Sequence, residues 1–259
     1  MGKKNTRIVA IANEKGGVGK TATVVNLGAA LALAGKKVLI VDMDPQHNTT
    51  SGLGVDTPDD ALSVYDLITN GGATKAKAAV CRTSWEKLDL IPSHMDLSGA
   101  EIELVDEEGR ENRLKEAINH VSGDYDVIIM DTPPSLSLLT INVFAAATEV
   151  LVPCQTHPYA FKALEDLFDT INDIKEEINP KIRISGIVPT FFDQRTKISR
   201  DILERLQTDD RYSHLVFKTT IRSNTAITSS SDVRKPVVHY RKTSFGASDY
   251  MALAREFIG

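Results

Sequence analysis

Short, almost wholly apolar runs separated by longer stretches of helical periodicity organise this chain of 259 residues. Ile8-Val9-Ala10-Ile11-Ala12 and Val127-Ile128-Ile129-Met130 contain no polar position, and residues 36–41, 87–92, 149–153 and 181–188 are only slightly more mixed. A strand with one wet face alternates apolar with polar, whereas a strand covered on both faces reads as a continuous apolar run. Helical patterns fall between them, over residues 61–68, 138–147, 159–178, about 193–207 and 244–258, with a polar helical stretch over 97–121. Strands regularly separated by helices predict a doubly wound α/β fold: a mostly parallel sheet with helices on both faces. Residues 48–54 read as a mobile polar loop, Asn70-Gly71-Gly72 as a helix stop, and Ser229-Ser230-Ser231-Asp232 as another loop. With neither internal repeat nor linker, residues 1–259 are expected to form one domain.

The first strand runs into Glu14-Lys15-Gly16-Gly17-Val18-Gly19-Lys20-Thr21, and a helical pattern follows through Ala32. A glycine-rich turn between strand and helix aims successive backbone N–H groups at one point, and the positive end of the helix adds to them, so main chain alone can hold a polyphosphate. Lys20 would reach its β and γ phosphates and the Thr21 hydroxyl would ligate Mg²⁺. The common pattern G-x-x-x-x-G-K-[ST] has glycine where this chain has Glu14, and a second lysine, Lys15, opens the loop instead.

Acids stand at the ends of two other strands, in Val41-Asp42-Met43-Asp44-Pro45-Gln46 and Ile129-Met130-Asp131-Thr132-Pro133-Pro134-Ser135. An open α/β sheet gathers its ligands at the carboxyl ends of its strands, so both acids belong beside the glycine loop. Asp131 has the placing of the acid that orients Mg²⁺ and its waters. Pro133-Pro134 would stiffen a loop able to sense the γ-phosphate.

Composition changes this picture in one respect. Hydrophobic content of 42% and charged content of 25% are ordinary for a globular chain, and no apolar run approaches the ~18 to 20 residues of a membrane span. The N-terminus meets a strand at once, leaving no signal peptide, so the cytoplasm is the expected compartment. Cys81 and Cys154 form no C-x-x-C pair and the six histidines no H-E-x-x-H, so neither a disulfide framework nor a zinc site is expected. The net charge of -5 is uneven, however. Residues 181–242 hold 13 Lys and Arg against 6 Asp and Glu, leaving 17 against 29 elsewhere. Such a basic third can face an acidic partner.

The three motifs in this order, K-G-G-x-G-K-T, V-D-M-D-P-Q and I-M-D-T-P-P-S, resemble the ParA/Soj-type partition ATPases of the ParA/MinD group over nearly the whole chain. That resemblance implies ATP and Mg²⁺ as cofactors and a homodimer with two nucleotides sandwiched between subunits. The backbone from Lys15 through Gly16, Gly17, Val18, Gly19, Lys20 and Thr21 to Ala22 would hold the phosphates, with Lys15 reaching the partner's. Asp44 would position the attacking water, and Thr21 and Asp131 would serve the metal. Asn224 matches an asparagine that reads the adenine edge, although helix capping is the other reading of an asparagine there. Arg195 matches an arginine used for non-specific DNA binding, and Arg222 is the second expected DNA contact. The family often has Ile-Pro-Arg-Asn where this chain has Ile221-Arg222-Ser223-Asn224, and an acidic-Ala-Pro stretch where it has Ser229-Ser230-Ser231-Asp232. The implied function is chromosome or plasmid segregation, nucleoid-associated in the ATP state and stimulated by a ParB-like centromere-binding protein, with a positioning ATPase for a non-DNA cargo as an alternative. A MinD-like membrane switch shares the motifs but needs a basic amphipathic C-terminal helix, whereas Tyr250, Leu253, Ala254 and Phe257 look like a core-facing stripe, so no membrane partner is expected. A NifH-like redox ATPase would need cluster cysteines.

Overall fold

A computed structural model describes residues 6–58, 60–69 and 72–259. Of the expected helix stop, Asn70 and Gly71 lie outside these residues. The elements in chain order are β1 (Arg7–Ile11), α1 (Lys20–Leu33), β2 (Val38–Asp42), α2 (Asn48–Gly52), α3 (Val64–Ile68), α4 (Ala76–Ala79), β3 (Cys81–Arg82), β4 (Leu88–Ile91), α5 (Leu97–Glu103), α6 (Arg113–Asn119), β5 (Val127–Asp131), α7 (Leu138–Ala146), β6 (Glu149–Gln155), α8 (Ala160–Glu177), β7 (Arg183–Thr190), α9 (Lys197–Thr208), α10 (Thr225–Asp232), α11 (Val237–Tyr240) and α12 (Phe245–Ile258).

The strands form one sheet in the order β3-β4-β2-β5-β1-β6-β7, parallel except for the short antiparallel β3 at one edge. Successive residues of the central strands feed opposite cores. Val9 and Ile11 of β1, Val38 and Ile40 of β2, and Val127 and Ile129 of β5 share one core with residues of α1 and α12. Ala10, Leu39, Val41, Ile128 and Met130 point the other way, into a core shared with α6, α7 and α8. Burial on both faces is the physical reason these strands are apolar up to their terminal residues. Close packing is visible at Gly28 of α1, where a Cβ would stand 2.7 Å from Ile40 Cδ1. The chain returns after β7 to lay α12 on α1, burying Tyr250, Leu253, Ala254 and Phe257.

Three local expectations change. The helical stretch over 97–121 is two helices, α5 and α6, broken where Gly109 adopts φ +67°. Residues 48–52 are helical as α2, because two threonine hydroxyls there meet buried carboxylates, an interaction that leaves no apolar period to read. Ser229-Ser230-Ser231-Asp232 is the last half of α10, capped at its start by Asn224.

Candidate nucleotide site

The crevice lies at the carboxyl ends of β1, β2 and β5, where α1 leaves the centre of the sheet. Asn13 fixes the entry to the glycine loop: its Nδ2 donates to Pro153 O at 2.8 Å and its Oδ1 accepts from Lys15 N at 2.9 Å. Gly17 and Gly19 take φ +74° and +91°, left-handed values that carry a strain for any residue with a Cβ. Helix α1 then begins at Lys20 with no side-chain cap. Its first N–H groups have no helical partner and face the loop, which suits an anion.

Lys20 and Asp44 are each only 8% exposed and Asp131 is fully buried. Lys20 Nζ donates to Asn13 O at 3.1 Å. Burial lowers the Lys20 pKa, and the charges of Asp131 and Asp44 work against that. Thr21 Oγ1 donates to Asp131 Oδ2 at 2.9 Å, so the hydroxyl and carboxylate expected to serve a metal stand together. Asp44 projects from the turn after β2. Its carbonyl accepts from Ser93 Oγ at 2.7 Å and its Oδ1 from Gln46 N at 2.9 Å.

Asp42, to which the sequence alone gives no role, pairs in register with Asp131 across β2 and β5. Both carboxyls are pushed up, Asp42 to about 7 by burial and by the Asp131 charge, Asp131 to about 6 chiefly by burial. Thr50 answers Asp42 with its backbone N–H at 2.8 Å and its hydroxyl at 2.7 Å, and Thr49 Oγ1 donates to Asp131 Oδ2 at 2.7 Å. Neither threonine carries a sequence signal beyond its nearness to Asp44.

Lys15 sits on the outer lip, its Nζ 5.7 Å from the ring centroid of Tyr159, which is 69% exposed. On the other side of α1 a cavity of about 330 Å³ is lined by Gly19, Ala22, Phe191, Arg222, Asn224 and Tyr250, among others. Asn224 Oδ1 accepts from Ala226 N at 2.9 Å, so it caps α10 and lines the cavity together. Arg222 also lines the cavity. Its guanidinium grips Asp249 and lies 4.2 Å from the Phe245 ring centroid, leaving the side chain 36% exposed. Arg195 differs: at 84% side-chain exposure it stands in solvent before α9, paired among the described residues with its near neighbour Asp193 at 2.8 Å. The structure thus brings together Lys15 through Ala22, Asp44 and Asp131, sets Asn224 and Arg222 at the adjoining cavity, and leaves Arg195 apart.

A model of an AAA domain family, AAA_31, matches residues 6–184. The sporulation initiation inhibitor protein Soj of Bacillus subtilis (strain 168) is 42% identical over 250 residues, 96% of this chain and 97% of its own length. The chromosome partitioning protein ParA of Myxococcus xanthus is 39% identical, over 97% of this chain and 88% of its own. The chain belongs to the ParA/Soj family. Among solved structures, that of a cobyrinic acid a,c-diamide synthase from Mycobacterium smegmatis, with bound ATP analog and magnesium, is similar to this ParA/Soj-family chain. It superposes with a TM-score of 0.82 at 39% identity, covering 96% of this chain and 93% of the other.

Proposed function

We propose that this ParA/Soj-family chain works, as a single unit of residues 1–259, as an ATP-driven switch for chromosome or plasmid partition. It binds Mg²⁺ and ATP in the crevice, pairs with a second copy, and hydrolyses ATP to ADP and phosphate. The observation that carries the reading is the Thr21 hydroxyl 2.9 Å from the Asp131 carboxylate at the uncapped start of α1. Hard oxygen donors suit Mg²⁺, uncapped N–H groups suit phosphate, and the adjoining cavity has room for a base. The relative with bound ATP analog and magnesium supports the same assignment.

Phosphoryl transfer depends on positioning and charge neutralisation more than on covalent chemistry. Bound Mg²⁺ supplies positive charge against the phosphate oxygens. The backbone of Gly16 to Ala22 orients the polyphosphate, Lys20 places an ammonium beside it, and Thr21 with Asp131 holds the metal and its water shell. Asp44 aligns and polarises the attacking water, and Lys15 reaches the phosphates held by the second copy. Asn224 borders the base. In the ATP-bound pair the basic third, with Arg195 foremost, contacts DNA without reading sequence, and a ParB-like centromere-binding protein accelerates hydrolysis and releases it.

Fluorescent ATP titrated with and without Mg²⁺ tests the core of this reading. Lys20→Ala and Thr21→Ala should each weaken Mg²⁺-dependent binding by about 10- to 100-fold, the worth of a charged contact. Unchanged affinity in both would remove the assignment of the loop.

A further inference from the structure

Thr49 is fully buried, in a stretch whose polarity reads as a mobile loop. Its Oγ1 donates to Asp131 Oδ2 at 2.7 Å, the oxygen that also accepts from Thr21 Oγ1. The other carboxylate oxygen, Oδ1, accepts from Thr132 N at 3.0 Å. Thr21 is the group expected to engage the metal, so without Thr49 the carboxylate would have one fixed donor at Oδ1 and would be free to swing at Oδ2. With Thr49 both oxygens are held by the protein. The holder is, moreover, part of a second structure. Helix α2 follows directly on the turn of Asp44, in which His47 N donates to Asp44 O at 2.8 Å, and Thr50 binds α2 to Asp42 on the adjacent strand. Helix α2 is therefore tied at once to the Asp44 turn, to Asp42 and to Asp131.

We propose that Thr49 is a positioning residue for phosphoryl transfer, whose hydroxyl fixes the plane of the Asp131 carboxylate and couples that acid to the turn carrying Asp44. This rests on the ATPase reading above. It goes beyond that reading in giving a specific task to a side chain that touches neither metal nor phosphate.

Thr49→Val keeps the volume and loses the donor, whereas Thr49→Ser keeps the donor. In nucleotide-free protein, hydrogen exchange of the 48–54 amides should quicken about 10-fold in Thr49→Val and change little in Thr49→Ser, since a charge-assisted bond is lost in only the first. With a non-hydrolysable ATP analogue, the Mg²⁺ concentration for half-saturation should rise about 10-fold in Thr49→Val, while metal-free analogue affinity stays within about twofold. Its kcat should fall about 10- to 100-fold with KM little changed, and Thr49→Ser should stay within about threefold of wild type. Circular dichroism checks folding, and Thr49→Ala replaces the valine variant if that one does not fold. A wild-type Mg²⁺ requirement and kcat in the folded, donor-free variant would overturn the proposal. So would equal impairment of serine and valine, or loss of fold in both valine and alanine with serine intact, which would make Thr49 structural only. Failure of the wild-type protein itself to bind the analogue with Mg²⁺ would instead sink the ATPase reading.

Discussion

Replacing Asp42 by asparagine should stabilise the nucleotide-free protein, and should do so more as pH rises. Asp42 is fully buried beside Asp131, and its carboxyl is raised from 3.8 to about 7. A carboxyl whose folded pKa exceeds its unfolded pKa takes up its proton more readily in the folded chain. Stability is therefore gained as pH falls from about 7 toward 4, and the ionised group costs most above pH 7. The ionised group therefore costs more at pH 8 than at pH 5, by on the order of a few kcal/mol shared with the coupled Asp131. Asparagine carries no charge, so the wild-type penalty disappears. Weaker hydrogen bonds from Thr50 offset part of that gain by a roughly pH-independent 1 to 2 kcal/mol. Burial lowers the His239 pKa, which works in the opposite sense as pH falls, but it is common to both proteins and cancels in their difference. Urea unfolding of both proteins at pH 5, 6, 7 and 8, free of Mg²⁺ and nucleotide, gives the curve directly. An Asp42→Asn variant less stable than wild type at pH 8, or a stability difference that is flat across the range, would refute the claim that the fold holds the ionised Asp42 at a cost.

If Lys15 reaches the phosphates of a second subunit, as proposed, Lys15→Ala should bind ATP yet remain monomeric by light scattering, and a normal ATP-dependent dimer would remove the trans contact. DNA binding should require ATP and ignore sequence. If a dimer neutralises about five phosphates, log affinity should fall with log salt at a slope of about -4.5, or roughly 500-fold between 50 and 200 mM. Arg195→Ala should lower that slope by about one on each of two unrelated duplexes in a mobility-shift series. Arg222→Ala should act mainly on folding, because its guanidinium is spent on Asp249; an equal loss of slope in both variants would contradict that distinction.

The sheet and the glycine loop were legible because each leaves a local signature: two-sided burial makes a strand apolar throughout, and a left-handed turn selects Gly17 and Gly19. Asp131 could be placed beside the loop from its position at the end of an apolar strand, and Asp44 through the family resemblance. Asp42 was not legible, because its role comes from a register partner distant in the chain, and register between β2 and β5 is a property of the assembled sheet. Helix α2 was missed for a related reason. Its buried positions are Thr49 and Thr50, which a hydrophobic pattern scores as solvent-facing, whereas in the fold their hydroxyls meet Asp131 and Asp42. The break at Gly109 is the opposite case, a local feature outweighed by the helical pattern on either side of it.

The departures from the family pattern near Asn224 acquire a physical account from the same contacts. A proline at position 222 would fix φ by its ring and would have no N–H to donate. Here Arg222 N donates to Asp249 Oδ2 at 3.0 Å and its Nε to the same carboxylate, while Phe245 packs on the guanidinium. An ion pair to α12 thus holds the cavity wall that a ring would otherwise stiffen. Asn224 is fixed at its acceptor end, since Oδ1 receives Ala226 N–H, and an asparagine amide has two donors on the other atom. Capping α10 therefore occupies one lone pair of Oδ1 and turns Nδ2, the donor atom, the other way. Under the proposed reading, Nδ2 is the atom that would meet an acceptor on the base.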